Sequence, residues 1–372
     1  MDGVSPYLPQ EIVRNILKRL PVRSLIRFQC VCKDWKNLSK TSSFVEEHLQ
    51  HSNHQNPSLL FQMNARGDPL HLYSLDHDMQ VLEIQNPPLI NSMFSVRIVG
   101  SSNGLICVEG SNFSVVHSLF LWNLAIREVR RVPNNVYDFE GDLYIGFGFS
   151  PIVNDYKILR ACAPISDDHN EINRVEVYSL SSGRWGNIEF GNLKGINLYS
   201  ETVTANGAMF WLGSQIEDED DLLVSFDMAM EVFTLIPMPA LDSGSDYNLA
   251  VYENKLALLS YTVVGNSGFC LIDLWVMDDG RDWNKKYSIS TFSSVFDPSC
   301  IWRNEIVCNV DEMHGFISEF EPHGVTSVLS LLNLGTNKLR EIATRRCGNK
   351  FSVIFNHAES IVPIGNIRIE EP

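Results

Sequence analysis

The sequence lacks the features that mark several large classes of protein. No apolar run reaches about 18 residues, so no membrane-spanning helix is expected, and the first residues have no signal-peptide core. The 8 cysteines form no Cys-x-x-Cys pair, which argues against a zinc site. A net charge of −16 excludes the basic footprint of a nucleic-acid-binding protein. These absences predict a cytoplasmic or nuclear protein with reduced thiols and without metal or other cofactor.

Catalytic motifs are also missing. No Gly-x-Ser-x-Gly elbow occurs, and no spacing of Ser, His and Asp singles out a triad. Gly146 and Gly148 do not extend to a dinucleotide-binding pattern, because Pro151 follows; close packing of strands at the centre of the fold is the expected reason for them. His48, His51 and His54 have a metal-like spacing but no acid or Cys to complete a set, so they are expected to face solvent. No catalytic residues are predicted.

The first 50 residues are patterned as short helices. Pro9 suits the first turn of a helix, and Pro21 ends that helix and begins another. A third helix is expected around Trp35, and Ser43 with Glu46 has the spacing of a capping box at the start of a fourth. The first helix has a wider apolar face than one core contact needs. The excess indicates either a helical subdomain packed on the rest of the chain or a docking surface for another protein.

The order of motifs in this segment resembles the F-box. It runs Leu-Pro at 8–9, Ile-Leu at 16–17, Leu-Pro at 20–21, Leu25, and Val-Cys-Lys-Asp-Trp at 31–35. In that family the motif binds a Skp-type adaptor, which joins a cullin scaffold and a RING subunit in a ubiquitin ligase. The resemblance therefore favours the docking surface. The residues it implies for adaptor binding are Leu8, Pro9, Ile12, Ile16, Leu20, Pro21, Leu25, Val31 and Trp35; the sequence does not sort those that contact the adaptor from those that form the core of the motif.

The rest of the chain has a different pattern. Residues 5–50 are assigned to the helical domain, the polar segment 51–57 to a linker, and 58–365 to a strand-rich domain. One half-unit, a strand, an Asn turn and a strand, recurs at intervals of 51, 52, 48, 50 and 52 residues. The turns are centred on Asn103, Asn154, Asn206, Asn254, Asn304 and Asn356. Asn tolerates the left-handed backbone that tight hairpins need.

A second half-unit alternates with the first. It is an apolar strand that ends near an aromatic residue or Leu, and its copies are centred on Tyr73, Trp122, Tyr178, Phe226, Trp275 and Leu332. Two interleaved series with a period near 50 predict six four-stranded blades of a β-propeller. The fold expected is thus α+β and multidomain: a small all-α F-box followed by an all-β propeller. Trp122, Trp211, Trp275 and Trp302 fall at repeat positions and are expected in the blade cores.

The repeats also predict how the ring closes. The Asn356 hairpin has no outer half after it, and the outer half at Tyr73 has no Asn hairpin before it. Together they are expected to complete one blade from the two ends of the domain. Residues 58–63 are expected to form an additional strand. This blade would then have one strand too many, and the sequence does not show where the additional strand lies.

The propeller segment has a resemblance of its own. Ser-Asn-Gly-Leu-Ile-Cys at 102–107, Leu-Trp-Asn-Leu at 121–124 and Gly-Phe-Gly-Phe-Ser-Pro at 146–151 are similar to the F-box-associated domain of plant F-box/kelch-repeat proteins. The resemblance implies a non-catalytic, substrate-recognition subunit of a Skp-cullin-F-box ubiquitin ligase. Two alternatives remain at this point. One is an adaptor-binding scaffold that delivers no substrate, and the other is an enzyme with a site at the propeller axis.

Loop lengths indicate which face of the propeller binds a target. In this geometry, turns within half-units lie on one face, and the longer connections lie on the other, where recognition is expected. The long connections are expected at 109–117, 134–142, 161–173, 191–199, 213–221, 240–247, 263–269, 292–298 and 311–326. One of them contains the acidic run Glu217, Asp218, Glu219, Asp220 and Asp221. Such a run is a solvated loop or a surface that steers a basic substrate; the family resemblance allows a self-incompatibility ribonuclease as one such substrate.

Overall fold

The structure of the protein is a computed structural model. The structure describes residues 8–55, 57–63, 70–76, 78–111, 117–133, 141–164, 171–217, 220–242, 244–264, 269–279, 281–292, 296–313, 325–346 and 351–364. None of the described helices is long and apolar enough to span a bilayer.

Four helices form the amino-terminal unit: α1 (Gln10–Leu17), α2 (Val22–Phe28), α3 (Lys33–Leu38) and α4 (Ser42–Gln55). A helical turn α5 (Pro88–Asn91) and a 3-10 turn (Gly191–Leu193) occur later. The fourth helix begins before Ser43, since the Thr41 carbonyl already accepts from the Val45 amide, so the predicted capping box is wrong. The helix also runs through most of the expected linker, as far as Gln55.

The strands that follow the helical unit form six four-stranded blades within the described residues. Blade 1 contains β1 (Ser58–Met63), β2 (His71–Leu75), β3 (Val81–Ile84) and β24 (Phe351–His357). Blade 2 contains β4 (Ser95–Ser102), β5 (Leu105–Ser111), β6 (His117–Asn123) and β7 (Glu128–Arg131). Blade 3 contains β8 (Gly141–Ser150), β9 (Asp155–Pro164), β10 (Arg174–Ser179) and β11 (Arg184–Asn187).

Blade 4 contains β12 (Ile196–Ala205), β13 (Ala208–Gln215), β14 (Asp221–Asp227) and β15 (Val232–Pro237). Blade 5 contains β16 (Asp246–Tyr252), β17 (Lys255–Val264), β18 (Phe269–Met277) and β19 (Trp283–Phe292). Blade 6 contains β20 (Phe296–Trp302), β21 (Glu305–Met313), β22 (Val325–Asn333) and β23 (Leu339–Arg346). All neighbouring strands within a blade are antiparallel, for example β4 with β5 and β5 with β6. The six-bladed, all-β propeller predicted from the repeats is confirmed.

The Asn turns join the first two strands of blades 2 to 6. Asn103, Asn154, Asn206, Asn254 and Asn304 all have positive φ, between 46° and 64°. In two of these turns the next residue is a glycine that also has positive φ, Gly104 at 82° and Gly207 at 76°. This backbone matches the twist of the flanking strands. The sequence prediction for these five turns is confirmed.

Blade 1 is completed by strands from both ends of the domain, as predicted, but its strand order differs from the prediction. Residues 358–364 form no strand after Asn356, so the predicted sixth hairpin is wrong. Instead β1 occupies the second position and pairs on one side with β24 and on the other with β2. The buried side chains of Leu59, Leu60 and Phe61 fit a strand that is covered on both faces. The strand at 58–63 thus pairs with β24 at the position where the predicted hairpin would have placed the chain after His357. That segment therefore has no strand to pair with.

A buried histidine at this closure predicts a pH-dependent stability. His357 is 3% exposed and lies 2.9 Å, Nδ1 to Oγ, from Ser101 of blade 2. Burial lowers the pKa of His357 to about 4. Between pH 6.5 and pH 4 the unfolded chain therefore takes up a proton that the folded protein excludes, and stability falls as the pH drops through this window. From pH 7 to pH 5 the loss expected from His357 is about 2 kcal/mol.

The measurement is the free energy of unfolding in urea at pH 7 and at pH 5. His357→Gln should reduce the difference between the two values, because glutamine takes up no proton. Glu109 and Glu176 contribute little in this window. Burial opposes ionisation of both carboxylates, but neighbouring cations outweigh it and lower the pKa of each below the ordinary value for Glu. The same pH dependence in parent and variant would contradict the assignment.

Antiparallel alternation places the connections on two opposite faces. The turns between first and second strands and between third and fourth strands lie on one side, here called the short-turn face. Connections between second and third strands and between blades lie on the other, the long-loop face. The described connections on that face are shorter than predicted because strands extend into them; β12 already begins at Ile196 and β13 ends at Gln215. Residues 112–116, 134–140, 165–170, 265–268, 293–295 and 314–324 lie outside the described residues.

Topology also decides where the helical unit attaches. The chain leaves α4 and enters β1 at the edge where β24 ends, since Ser58 pairs with His357. Inner strands end at the short-turn face, so the helical unit joins the propeller on that side. Ala125, in the turn between β6 and β7, packs against the helical core. The long-loop face is therefore opposite the helices.

Two glycines allow blades 3 and 4 to approach closely. A Cβ on Gly146 would lie 2.6 Å from Trp211 Cζ2, and one on Gly148 would lie 2.6 Å from Thr204 Cγ2. Both glycines are in β8, the innermost strand of blade 3, and Thr204 also donates to the Phe147 carbonyl at 2.8 Å. The predicted close packing of strands at this position is confirmed.

Replacing Gly146 by alanine is expected to destabilise the propeller by about 1–3 kcal/mol, the usual cost of overpacking a core. The matched control is Gly100→Ala in β4, the innermost strand of blade 2, where an added Cβ meets nothing within 4 Å. Urea unfolding midpoints measure both. Equal midpoints for the two variants would contradict the explanation.

Candidate functional site

The helical unit carries a row of exposed apolar side chains. Leu8, Ile12 and Ile16 recur every four residues and are 58%, 45% and 47% exposed. Ile12 and Ile16 line one face of α1 at this spacing, and Leu8 lies just before the start of the helix at Gln10. Leu17, beside Ile16, is 1% exposed and belongs to the core. The helix therefore separates a core face from an apolar face that no described part of this chain covers.

The structure divides the other residues predicted for adaptor binding. Val31, 62% exposed, and Pro21 are also on the surface, as is Pro9, the residue that precedes α1. Leu25 is only 2% exposed and lies in the helical core. Leu20 and Trp35 are partly buried and pack against that core. The exposed residues are thus available for a partner, whereas the buried ones form the core of the helical unit. The sequence alone could not make this distinction.

The exposed row is held by a small but defined core. Leu17, Val22, Leu25 and Phe44 are its fully buried members, together with Ile361 from the carboxyl end of the chain. Arg14 connects α1 to α4 through a two-pronged ion pair with Glu47, with both contacts at 2.9 Å. The hydrogen bond from Arg14 lowers the pKa of Glu47.

His48 is the clearest departure from the sequence expectation. It is 3% exposed, its Nε2 lies 2.9 Å from the Leu20 carbonyl oxygen, and its ring stacks on Phe44. The solvent-facing prediction is wrong for His48 because α4 continues past it and turns it toward the core. Burial lowers its pKa, so the neutral ring is favoured. His51 is partly buried, and the side chain of His54 lies outside the described residues.

No group of three His, Cys, Asp or Glu side chains that could hold a metal occurs among the described residues. The cysteines that line blade cores, Cys107, Cys270 and Cys308, are buried, and burial raises the pKa of each thiol. They therefore lack the thiolate character of a nucleophile. Trp122, Trp211 and Trp302 are at most 3% exposed, and Trp275 packs partly buried against the core of blades 4 and 5. The prediction of these tryptophans as blade core is confirmed.

The acidic run lies on the long-loop face, between β13 and β14. Glu217, Asp220 and Asp221 are exposed, while Asp218 and Glu219 lie outside the described residues. The Tyr199 hydroxyl donates to Asp221 Oδ1 at 3.2 Å, and the Gln215 amide donates to the Asp220 carbonyl at 3.0 Å. These bonds hold two members of the run against the rim of blade 4.

Two further acids on inner strands were missed by sequence reasoning. Glu201 lies in a bulge of β12, and Asp297 lies in β20, where it accepts from Asn248 Nδ2 at 3.1 Å. Glu201 is exposed, but desolvation in the bulge still raises its pKa, and the negative charge of Asp297 adds to that shift. No spacing in the sequence marks these two acids, because they come from different blades and their charges act on each other only across the closed ring.

Comparison with known families agrees with both parts of this architecture. The F-box domain family matches residues 6–47, and the F-box associated beta propeller domain family matches residues 58–363. The second match begins where β1 begins and includes β24, the strand that closes the ring.

Individual relatives agree with the family matches. F-box protein At3g07870 of Arabidopsis thaliana is 27% identical, over 82% of this chain and 80% of its own length. F-box/kelch-repeat protein At2g43445 of the same plant is 25% identical, over 78% of this chain and 67% of its own. Among solved structures, TolB from Acinetobacter baumannii aligns over 83% of this chain and 72% of its own, with 11% identity and a TM-score of 0.47. The two family matches, which together cover most of the sequence, show that the chain belongs to the family of F-box proteins with an F-box associated beta propeller domain.

Proposed function

We propose that this protein is the substrate-recognition subunit of a Skp-cullin-F-box ubiquitin ligase. The F-box binds a Skp-type adaptor and, through it, the cullin and RING subunits, in the cytoplasm or nucleus. The observation that carries this proposal is the uncovered row of Leu8, Ile12 and Ile16 on a domain of the F-box family. Pro9, Pro21 and Val31 extend the proposed contact because they are exposed on the same small domain.

The proposed role is positioning, without chemistry by this chain. One end of the protein is fixed to the ligase, and the other holds a target protein near the activated ubiquitin, which raises its effective concentration. Attachment of the helices on the short-turn face leaves the long-loop face free for the target. That face carries the exposed acids Glu217, Asp220 and Asp221, and two more acids, Glu201 and Asp297, lie on the innermost strands of blades 4 and 6. The target proposed is accordingly a basic protein, and ribonucleases of self-incompatibility systems are one such class.

The test is co-expression of the full chain with a plant Skp-type adaptor and purification through a tag on the adaptor. A stable one-to-one complex is the expected result. Addition of cullin, RING subunit, ubiquitin and the activating and conjugating enzymes should then modify a protein captured by the complex, and that protein should be basic and released by salt. Failure of folded full-length protein to bind the adaptor would overturn the proposed function.

A further inference from the structure

The last described segment of the chain joins the two domains. Residues 358–364, here called the C-terminal strap, follow β24 without forming a strand. The strap begins at the short-turn face, where the helical unit lies. Ser360 is fully buried and fits against Gly104, whose hairpin turn leaves no room for a side chain: a Cβ on Gly104 would lie 2.0 Å from Ser360 Cβ.

Two strap side chains enter different cores. Ile361 is 6% exposed and belongs to the helical core with Leu17 and Phe44. Ile364 is 1% exposed and packs with Leu105 and Tyr156 in the core between blades 2 and 3. Only two residues separate these two anchors, so movement of the helices away from the propeller would pull at least one apolar side chain into water.

Hydrogen bonds hold the strap backbone beside and between the two anchors. Asn123 is fully buried, and its Nδ2 donates to the carbonyls of Ser360 at 3.0 Å and Val362 at 2.9 Å. The Ile364 amide donates to Glu128 Oε2 at 3.1 Å, and on the helical side Ser52 Oγ donates to the Glu359 carbonyl at 3.3 Å. The strap is thus bonded to blade 2 and to α4 within a few residues.

The propeller itself shows what is special about Asn123. At the equivalent end of the third strand in blade 4, Asp227 Oδ1 accepts from the amides of Ala229 and Met230 at 2.8 and 2.9 Å. Asn123 Oδ1 makes the same turn with Ala125 and Ile126, at 3.0 and 3.4 Å. An aspartate is therefore sufficient for the turn. What the amide nitrogen of Asn123 adds is the pair of hydrogen bonds to the strap.

We propose that the C-terminal strap is a clamp that fixes the orientation of the F-box relative to the propeller, with Asn123 as its positioning residue. The clamp sets the distance between the proposed adaptor surface and the long-loop face. Its importance for ubiquitin transfer depends on the proposed function, but the fixed orientation does not, and it is measurable without any ligase subunit.

The test compares Asn123→Asp with Asp227→Asn in the full chain. Asn123→Asp keeps the turn, as Asp227 demonstrates, but replaces the donor by an acceptor facing two carbonyls. Asp227→Asn is the matched control at a turn that the strap does not contact. Circular dichroism melting checks that both variants fold. A third variant, a chain ending at His357, keeps β24 but has no strap. It tests the clamp if Asn123→Asp does not fold.

The orientation of the helical unit relative to the propeller is measured as the distance between two nitroxide labels by pulsed electron paramagnetic resonance. One label is placed on Cys30, which is exposed on the helical unit, and one on Glu217→Cys on the long-loop face, with Cys32 and Cys347 replaced by serine. The parent and Asp227→Asn should give one narrow distance distribution. Asn123→Asp and the strapless chain should give a broad or shifted distribution.

Hydrogen exchange supplies the second readout. In Asn123→Asp the amides of 360–364 should exchange about tenfold faster or more, as expected for loss of two buried hydrogen bonds, with exchange of blades 4 to 6 unchanged. A distance distribution that superimposes on that of the parent, in both Asn123→Asp and the strapless chain, would overturn the clamp. Adaptor binding is measured separately, so failure of the clamp and failure of the proposed function give different results.

Discussion

Replacing Ile12 and Ile16 together by serine is expected to weaken binding of a Skp-type adaptor by about 100-fold or more. Both side chains are nearly half exposed in the free chain, and their burial by a partner would contribute to the interface core. An interface hot spot costs about 2 kcal/mol or more when it is truncated, and about 1.4 kcal/mol corresponds to a factor of ten in affinity. Isothermal calorimetry with purified adaptor measures the change.

The same substitution at another exposed isoleucine is the control. Ile152 is 79% exposed in the turn between β8 and β9, outside the helical unit, so Ile152→Ser should leave adaptor affinity unchanged. Leu25→Ala serves the opposite purpose: Leu25 is in the helical core, and its truncation should cost about 2–5 kcal/mol of stability. A combined Leu20→Ala and Pro21→Ala variant is less informative, since Leu20 is partly buried and its removal disturbs the core as well as the surface. Unchanged affinity in the folded Ile12/Ile16 variant would refute the proposed surface.

Removal of the closing strand is expected to abolish the folded propeller. A chain that ends at Arg346 lacks β24, which pairs with β1 at six positions. β24 also bonds to both neighbouring blades, through Asn356 Nδ2 to the Ile301 carbonyl at 2.9 Å and through His357 to Ser101. Backbone hydrogen bonds contribute about 1 kcal/mol each, and a domain is stable by only about 5–15 kcal/mol. Their loss, with exposure of the edge of β1, is comparable to the whole stability.

Soluble yield, gel filtration and near-ultraviolet circular dichroism test this expectation. The matched control is a chain ending at Ile364, which keeps β24 and the C-terminal strap and should melt as the full chain does. A chain ending at Arg346 that remains monomeric with a cooperative melt would show that β24 is dispensable, and would contradict the closure described for blade 1.

Local patterns were sufficient wherever a structure depends on neighbours in sequence. The five Asn turns could be predicted because a tight hairpin needs left-handed backbone at its centre, and Asn adopts it at low cost. The period of the repeats predicted the number of blades for a similar reason, since each blade is formed by consecutive antiparallel strands. The four helices were visible from proline positions and apolar spacing, with an error of a few residues at the start and end of α4.

Long-range packing decided what the patterns could not. The sequence pattern suggested a hairpin at Asn356, but β1 takes the position beside β24 from the other end of the domain. His48 has the sequence context of a helix end near a linker, and yet α4 turns it into the core. The strap interacts with Asn123, whose partners Ser360 and Val362 are far away along the chain.

The sequence alone determined that this chain has an F-box followed by a six-bladed propeller, because hairpin turns, strand alternation and helix signals are local and are repeated often enough to be read. Only the tertiary structure decided which F-box residues are exposed, which strand closes the ring, and that the carboxyl end bridges the two domains. Those properties depend on burial and on hydrogen bonds between segments distant in sequence, which form only when the ring closes and the ends of the chain meet.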